Sequence, residues 1–438
     1  LITKYDALGR VLYTGYYTGK SVSDSGRATY QSEQTGLQGA FAENLSNNEP
    51  PFDGVYVGYT NKVLPMTGYK LLTINYYDDY SNPYAPTLPT DVIGAQLATH
   101  PKTLPTGSWT RVLDNSSNTT AEVSYTLYDQ RFRPVRTSST NYLEGYTQVD
   151  SKMDWAGKVL ETHTFHKYDA NATELEVVDY FEYTDQDRVT IHTQEIIGFH
   201  DKELIANNTY DELGQLISKN VGGSDSTGTT GYQKVDYTYN VRGWLKNIND
   251  IENIGYENDL FAFGINYNDP EEGTPLYNGN ISETQWITNS DGTLRRYVYT
   301  YDALNRLLNA EYSKPYTAST TLNNYKEDLT YDKNGNIISL LRNGEIEDDN
   351  YVVEIDNLTY FYDSDNKNLL EQVTDQSNHP KGFKDDGDGL RDYYYDGFGN
   401  LIKDTNNQID SIFYNHLNLP VEIVFVSGDK IKYIYNAL

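Results

Sequence analysis

The chain returns many times to one pattern, which is clearest in Tyr331-Asp332-Lys333-Asn334-Gly335-Asn336-Ile337-Ile338. The pattern is Tyr-Asp, two variable residues, Gly or Asn, a polar residue and two aliphatic residues. Tyrosine packs well at the end of an extended strand, and the aspartate side chain accepts backbone N–H groups of the turn that follows. Glycine or asparagine at the fifth position tolerates the positive φ that a short hairpin loop requires. The unit therefore predicts a β-hairpin.

Copies of this unit occur along the whole chain. Close copies start at Tyr5, Tyr210, Tyr301 and Tyr395, and weaker ones start at Tyr128, Met153, Tyr239, Tyr362 and Tyr414. One hairpin alone is marginally stable in water, so neighbouring copies must pack against each other. A structural turn signature is therefore assigned to Tyr5, Asp6, Gly9, Tyr128, Asp129, Asp154, Gly157, Tyr210, Asp211, Gly214, Tyr239, Gly243, Tyr301, Asp302, Asn305, Tyr331, Asp332, Gly335, Tyr395, Asp396 and Gly399.

The repeats predict an all-β chain whose hairpins form a continuous spiralling sheet, a hollow shell or part of one. No long stretch has helical periodicity, so we expect little helix, and Leu71–Tyr77 reads as a buried strand. Both ends of the sequence look like cuts in a longer polypeptide. Four segments are expected: an irregular, loop-rich lead-in (1–120), hairpin repeats (121–250), divergent repeats with Asn-Gly turns (251–296) and regular repeats truncated at the end (297–438).

The composition favours sheets with one packed face and one wet face. Tyrosine accounts for 42 of the 438 residues, and its ring supplies apolar area while its hydroxyl seeks a partner. The net charge of −29 argues against nucleic acid or an anionic membrane surface as the main partner. The absence of cysteine excludes disulfides, thiolate metal sites and cysteine nucleophiles. No apolar run approaches the ~18 residues of a membrane span.

Two acidic patterns invite functional interpretations. The repeated turn aspartates resemble acid/base pairs for glycoside hydrolysis, but recurrence at equivalent turn positions favours a capping role. The loop Asp385-Asp386-Gly387-Asp388-Gly389 superficially resembles a calcium loop. It lacks the alternating ligands and the distal glutamate of an EF-hand, so a solvated loop is favoured and calcium binding is left open.

Histidine and tryptophan residues give no stronger signal. His163 and His166 lie three apart on a predicted strand and therefore point to opposite faces, which argues against a zinc site. Trp155, Trp244 and Trp286 lie within strand patterns and are predicted to belong to the core rather than to a sugar-binding platform. No catalytic, metal-binding or cofactor-binding residue is assigned, and no cofactor is expected.

These repeats resemble those of the RHS/YD-repeat family of secreted and cell-surface bacterial polypeptides, which is related to toxin-complex shells and to teneurins. The resemblance rests on the units at Tyr5, Tyr210, Tyr301, Tyr331 and Tyr395. The stretches Arg242–Leu245 and Tyr277–Ile281 are similar to RHS chains of bacteria that export surface proteins through a type IX system.

The resemblance implies a non-enzymatic section of an exported β-shell that encapsulates or presents a polypeptide cargo, such as a C-terminal effector or toxin. The implied partners are an enclosed segment of the same longer chain, secretion machinery and other cell-surface proteins. The implied location is secreted or on the bacterial cell surface. The family's self-cleavage residues follow its repeats and have no counterpart in this sequence, so no catalytic residue is carried over.

Two alternatives remain. The first is a surface adhesin or glycan-binding repeat protein that uses the outer face and the loops of residues 13–120. The second is a glycosidase, which would require two turn aspartates to meet in one cleft.

Overall fold

The computed structural model describes most of the chain, and its regular structure is almost entirely β. The residues described are 1–17, 25, 26, 28, 29, 32, 41–113, 119–228, 230–255, 258–316, 323–347, 351–387 and 389–436. Within these ranges, helical geometry is confined to five residues between positions 25 and 32. The predicted all-β class is confirmed.

Within the residues that the structure describes, twenty-nine strands are numbered in chain order. The first fourteen are β1 Ile2–Tyr5, β2 Val11–Tyr17, β3 Tyr69–Tyr77, β4 Asp91–Val92, β5 Ala95–Gln96, β6 Pro105–Arg111, β7 Ala121–Tyr128, β8 Pro134–Thr140, β9 Glu144–Met153, β10 Val159–Asp169, β11 Leu175–Tyr183, β12 Val189–Ile196, β13 His200–Tyr210 and β14 Leu216–Val221. The others are β15 Gln233–Tyr239, β16 Leu245–Ile248, β17 Phe261–Asn266, β18 Glu283–Thr288, β19 Arg295–Tyr301, β20 Leu307–Ser313, β21 Glu327–Tyr331, β22 Ile337–Asn343, β23 Glu354–Tyr362, β24 Leu370–Asp375, β25 Tyr393–Tyr395, β26 Leu401–Asp404, β27 Ile409–Tyr414, β28 Pro420–Phe425 and β29 Lys430–Lys432.

Pairing is antiparallel and follows the order of the chain, as a succession of hairpins requires. Twenty-two strands belong to one hydrogen-bonded sheet, β25–β29 form a five-stranded sheet, and β4 and β5 form a small ribbon. Each predicted turn joins one strand to the next in sequence, for example β1 to β2 and β21 to β22. The chain separates into two compact units, which are described in turn.

The first unit comprises Leu1–Asn207, Gly222–Thr230 and Ile434–Leu438. Its main core lies on β2 and β3, where Tyr13, Ile74 and Tyr76 are almost completely buried. The predicted buried strand at Leu71–Tyr77 is confirmed as β3. The last described residue, Asn436, forms a bridge with Val112.

An irregular segment, residues 41–66, covers β2 and β3 in this unit. Val55, Val57 and Tyr59 from the segment belong to the same buried cluster as the strands. A buried ion pair holds the segment in place, because Lys4 Nζ of β1 lies 3.1 Å from Glu43 Oε1 and both side chains are almost completely buried. Part of the lead-in is therefore packed into the core of this unit.

The second unit comprises Asn208–Val221 and Gly231–Tyr433. Most residues of its strands are half-buried; β22, for example, has no fully buried residue. Aromatic rings supply local packing, since the Trp286 ring lies 5.5 Å from that of Tyr297 and 6.0 Å from that of Tyr312. The unit therefore consists mainly of sheet with two partly accessible faces.

Two sequence expectations need correction. Trp155 lies in the turn between β9 and β10 and is 81% exposed, so its prediction as a core residue was wrong. Its neighbours in the sequence follow a strand-like pattern, but the residue after the aspartate of this turn points into solvent. The Asn278-Gly279 pair lies within the long connection between β17 and β18 rather than in a short turn between strands.

Candidate functional site

The repeated hairpin corner is the feature that the structure offers as a candidate functional element. In the corner at Tyr331, Asp332 N donates to Asn336 O at 2.9 Å and Gly335 N donates to Asp332 O at 3.3 Å. Gly335 has a φ of 96°, in the left-handed region. Tyr331 pairs with Ile337 across a register shift, which is the bulge that a left-handed residue places after a type I turn.

The aspartate side chain closes the corner by accepting backbone N–H groups. Asp332 Oδ1 accepts from Asn334 N at 2.8 Å and from Asn336 N at 2.9 Å. Equivalent bonds to the second and fourth following residues occur at Asp6, Asp129, Asp302 and Asp396, with distances of 2.8 to 3.0 Å. Asp154 accepts from Gly157 and Lys158, and Asp211 accepts from Gln215. These carboxylates are thus acceptors within their own turns.

The residue four positions after the tyrosine has positive φ, and the residue types found there differ in how well they tolerate it. Glycine has positive φ there at Gly9, Gly157, Gly214, Gly243, Gly335 and Gly399, and Asn305 adopts a φ of 64°. The corner at Tyr128 uses Phe132, with a φ of 62°, and the corner at Tyr183 uses Asp187, with a φ of 65°. Phenylalanine is a strained choice at such a position. Contacts outside the turn must therefore help to hold the Tyr128 corner in this conformation, because its own sequence does not favour it.

In the corners at Tyr128 and Tyr301, the arginine four residues after the aspartate connects the corner to the next hairpin. Arg306 Nε donates to Asp302 Oδ2 at 2.6 Å, and its Nη1 donates to Asp332 O at 2.9 Å. Arg133 repeats this arrangement with Asp129 and with the carbonyl of Asp154, at 2.8 and 2.7 Å. The Arg306 guanidinium also lies 4.7 Å from the centre of the Tyr331 ring, where cation–π attraction favours it.

The tyrosine of several corners connects in the opposite direction along the chain. Its hydroxyl donates to the backbone carbonyl of the first residue of an earlier return strand, as Tyr362 does to Ile337 at 2.9 Å. This contact was not predicted, although the excess of tyrosine pointed to hydroxyl groups in need of partners. The same bond joins Tyr77 to Val11, Tyr128 to Pro105, Tyr183 to Val159, Tyr239 to Leu216, Tyr267 to Leu245, Tyr395 to Leu370 and Tyr414 to Leu401, at 2.6 to 3.2 Å.

The ionisation of these groups suits the contacts they make. The backbone N–H of Arg306 holds the pKa of Asp302 below its usual value, and the Asn400 side chain does the same to the pKa of Asp396. Burial raises the pKa of the Tyr301 and Tyr395 hydroxyls. At neutral pH the aspartates are therefore ionised acceptors, and the tyrosines keep the proton that they donate.

The corner at Tyr414 and that at Tyr239 use asparagine in place of aspartate. Asn240 Oδ1 accepts from Arg242 N at 2.9 Å and from Trp244 N at 3.0 Å. Asn415 Oδ1 accepts from Leu417 N at 2.8 Å and from Leu419 N at 3.1 Å. The geometry needs an oxygen atom at this position, and asparagine provides one without the charge.

The other candidate sites remain separate from one another. His163 contacts Glu161 and Glu176, each at 2.8 Å, whereas His166 bonds to Thr147. Among the residues that the structure describes, no group of three or more acidic, histidine or cysteine side chains could hold a metal ion. Asp388 of the acidic loop lies outside those residues.

No helix in the described part of the chain has the length and apolar character needed to cross a membrane.

Comparison with known proteins gives similarities to solved structures. A structure of TcdB2-TccC3 without its hypervariable C-terminal region is 15% identical, with a TM-score of 0.34, and the match covers 99% of this chain and 20% of that chain. A Photorhabdus luminescens Tc holotoxin pore is 14% identical, with a TM-score of 0.26, and the match covers 97% of this chain and 20% of that one. A structure of TcdB2-TccC3 is 10% identical, with a TM-score of 0.23, over 98% of this chain and 24% of that chain.

The chain thus spans about a fifth of the length of the structures to which it is similar. No protein-family model matches it, and no curated protein matches it. TM-scores of 0.34 and lower carry no conclusion about activity or partners. The description of the chain as an all-β array of antiparallel hairpins rests on its own strand pairing.

Proposed function

We propose that this chain is a non-enzymatic section of an exported RHS-type β-shell that encloses or presents a polypeptide segment of the same longer chain. The observation that carries the proposal is the recurrence of one corner, with the same aspartate and tyrosine contacts, in both compact units. A corner that also binds the neighbouring hairpins links them into one extended sheet, and such a sheet can form the wall of a shell.

The corner is suited to an extended sheet because its side chains form hydrogen bonds between neighbouring hairpins. Arg133 and Arg306 each bind their own aspartate and the backbone of the next corner. Each added hairpin can therefore extend the sheet and pair a strand edge that would otherwise invite aggregation.

The half-buried strands also suit contact with water and with an unfolded guest. Strands of the second unit such as β15 and β21 carry polar and tyrosine side chains that stay partly accessible. Such a face supplies hydrogen-bonding groups without a continuous apolar surface that would bind a guest tightly. The net charge of −29 favours solubility of a protein with this much sheet.

The test is to purify the native polypeptide from its source and to image it by electron cryomicroscopy. We expect density for an enclosed segment, and we expect that segment to resist protease until mild denaturant opens the wall. Mass spectrometry of the protected fragment identifies its place in the polypeptide. A solid body without enclosed density, together with immediate cleavage of every segment outside the repeats, would contradict the proposal.

Export and the lack of enzymatic activity are tested separately. Fractionation of the producing cells should place the polypeptide in the medium or at the surface, and retention in the cytoplasm would contradict export. The purified protein should not hydrolyse a panel of chromogenic glycosides. Hydrolysis that disappears in Asp302→Asn or Asp332→Asn would instead support the glycosidase alternative.

A further inference from the structure

A buried amine, a carboxamide and a carboxylate meet where the segment of residues 41–66 attaches to β1. Lys4 Nζ donates to Asn61 Oδ1 at 2.7 Å and to Glu43 Oε1 at 3.1 Å, and it also donates to the Val63 carbonyl. The Lys4 and Glu43 side chains are almost completely buried. None of these side chains belongs to the repeated turn signature, so the proposed wall gives them no role.

The amine nitrogen of Lys4 is within reach of the carbonyl carbon of Asn61. Because Cγ is bonded to Oδ1, it lies at most about 4 Å from Lys4 Nζ. The terminal torsion of an asparagine side chain is broad, so a rotation about it can present the face of Cγ to the nitrogen. Two groups held at this distance react as parts of one molecule, which removes most of the entropic cost of bringing them together.

The surroundings of Lys4 favour the neutral amine, which is the form that attacks a carbonyl carbon. Burial lowers the pKa of Lys4, although the hydrogen bond to Glu43 opposes this effect. Burial also opposes ionisation of Glu43, but hydrogen bonds from the backbone of Lys62 and from the Thr60 hydroxyl outweigh it and lower the pKa of Glu43. The Glu43 carboxylate is therefore an acceptor for the proton that Lys4 must lose.

The carboxamide oxygen of Asn61 has a donor for the negative charge that it gains during attack. The Tyr69 hydroxyl donates to Asn61 Oδ1 at 3.1 Å. Burial raises the pKa of this hydroxyl, which therefore keeps its proton. Such a donor stabilises a tetrahedral intermediate in the manner of an oxyanion hole. A cavity of about 100 Å³, lined by Asn61, Tyr13 and Phe52 among others, has room for a departing ammonia molecule.

We propose that Lys4 and Asn61 become joined by an intramolecular isopeptide bond. The Lys4 ammonium group transfers one proton to Glu43, and the free amine attacks Asn61 Cγ. As the bond between Cγ and Nδ2 breaks, the leaving NH2 group takes one proton from the attacking nitrogen and departs as ammonia. The ammonia then removes the proton held by Glu43, which restores the carboxylate. No oxidant, reductant or external substrate takes part, and the reaction occurs once in each chain.

The bond would fasten the cover of the first unit to its sheet. It joins β1 to the segment that packs over β2 and β3, between residues that are 57 positions apart. A covalent link across such a loop restricts the unfolded chain as a disulfide does. The chain has no cysteine, so a disulfide cannot serve this purpose.

The test is peptide mapping of the full polypeptide by mass spectrometry. Trypsin cleaves after lysine and arginine but does not cleave after a lysine whose amine is part of an amide. We expect the peptide that ends at Arg10 to be joined to the peptide of residues 28–62, with a mass lower than their sum by one ammonia molecule. The proposal is overturned if trypsin cleaves after Lys4 and no joined peptide is found, or if the loss of ammonia maps to an asparagine succinimide.

The variant Glu43→Gln separates the proposed reaction from a simple ion pair. It keeps the size of the side chain but cannot take up the proton, so the joined peptide should form at least about tenfold more slowly after synthesis. Glu161→Gln is the matched control, because Glu161 also lies 3.1 Å from a lysine, Lys152, in a more exposed pair. The control should form the joined peptide at the parent rate. Formation in Glu43→Gln at the parent rate would contradict the proposal.

The variant Tyr69→Phe takes the place of Glu43→Gln if the latter does not fold. It keeps the ring that packs 4.4 Å from that of Phe52 and loses only the hydroxyl. Removal of one oxyanion donor should slow formation of the joined peptide at least about tenfold, and an unchanged rate would count against the proposed reaction. The shell experiment detects an enclosed segment and not this bond, so either proposal can fail without the other.

Discussion

Strands β3 and β22 carry the same kind of sequence and have different surroundings. Six of the nine residues of β3 are buried, whereas none of the seven residues of β22 is. The segment formed by residues 41–66 covers β3 and contributes Val55, Val57 and Tyr59 to its core. β22 is held by its neighbours in the sheet and by the contacts of the Tyr331 and Tyr362 corners.

This chain therefore stabilises its sheet in two ways. Where a cover is present, burial of large side chains supplies the stability, and tyrosines such as Tyr13 and Tyr76 become core residues. Where the strands are half-buried, hydrogen bonds from side chains to the backbone at the corners take a larger share. Changes to the cover and to the corners should therefore have effects of different size.

The largest effect is expected from breaking the attachment of the cover. Glu43 accepts from Lys4 Nζ, from the Thr60 hydroxyl and from the backbone of Lys62 and Val63. Glu43→Ala would leave Lys4 buried without its carboxylate, at a cost of about 3–5 kcal/mol in the free energy of unfolding. Urea denaturation measures this, and hydrogen exchange should rise in β1–β3.

The control for that variant is Lys152→Ala. Lys152 pairs with Glu161 and its side chain is 49% exposed, so its removal should change the stability by less than about 1 kcal/mol. Equal losses from the two substitutions would show that the cover is not held by the buried pair.

A smaller effect is expected at a single corner. Asp129→Ala removes the acceptor for Arg131 N and Arg133 N and should lower the stability by about 2 kcal/mol. Asp129→Asn should cost less, because Asn240 makes the same two bonds in its own corner. Denaturation of the two variants side by side measures the share due to the charge. If Asn were as damaging as Ala, the backbone bonds would not be the source of stability.

The left-handed position of the corners should respond in opposite directions at two sites. Phe132→Gly should stabilise by about 1 kcal/mol, because Phe132 has a φ of 62° that glycine adopts without strain. Gly335→Ala should destabilise by a similar amount, about 1 kcal/mol, because the φ of 96° at Gly335 is unfavourable for any residue with a Cβ atom. Thermal denaturation of both variants is the measurement. A destabilised Phe132→Gly would mean that packing of the ring outweighs backbone strain.

The smallest effect is expected from pH. Burial opposes protonation of His163, but hydrogen bonds to Glu161 and Glu176 outweigh it and raise the pKa. A raised pKa in the folded state stabilises the protein below the unfolded value of about 6.5, and this contribution is lost as the pH rises through the folded pKa. His163→Gln should therefore reduce the loss of stability between about pH 6 and pH 8. Identical pH profiles for the variant and the parent, or an NMR titration placing the His163 pKa below the ordinary value, would contradict this.

Much of the fold follows from the sequence because the corner is a local device. The Tyr331 unit specifies its turn through the aspartate acceptor and the left-handed glycine, and both act within six residues. The alternation of residues in Val123–Tyr128 likewise leads to β7. Chemistry confined to one turn can be read from a single sequence.

Contacts between segments that are distant in the sequence could not be predicted from local sequence patterns. The Lys4–Glu43 pair joins residues 39 positions apart, and nothing in the local pattern around Glu43 marks it as a buried partner. The contact of the Ile251 side chain with Gly264 joins a loop to a strand and is likewise a matter of three-dimensional packing. Trp155 was misplaced for a related reason, since a strand-like pattern does not reveal where the turn leaves the sheet.

The tyrosine hydroxyls bond to carbonyl oxygens of the main chain, and the residues that carry these carbonyls include valine, leucine, isoleucine and proline. Every amino acid has such an oxygen, so the recognition places no demand on the identity of the partner side chain. Duplication or deletion of a hairpin during evolution then requires no compensating mutation at the acceptor. The molecule can change its length by recombination while the residues that carry the acceptor carbonyls vary.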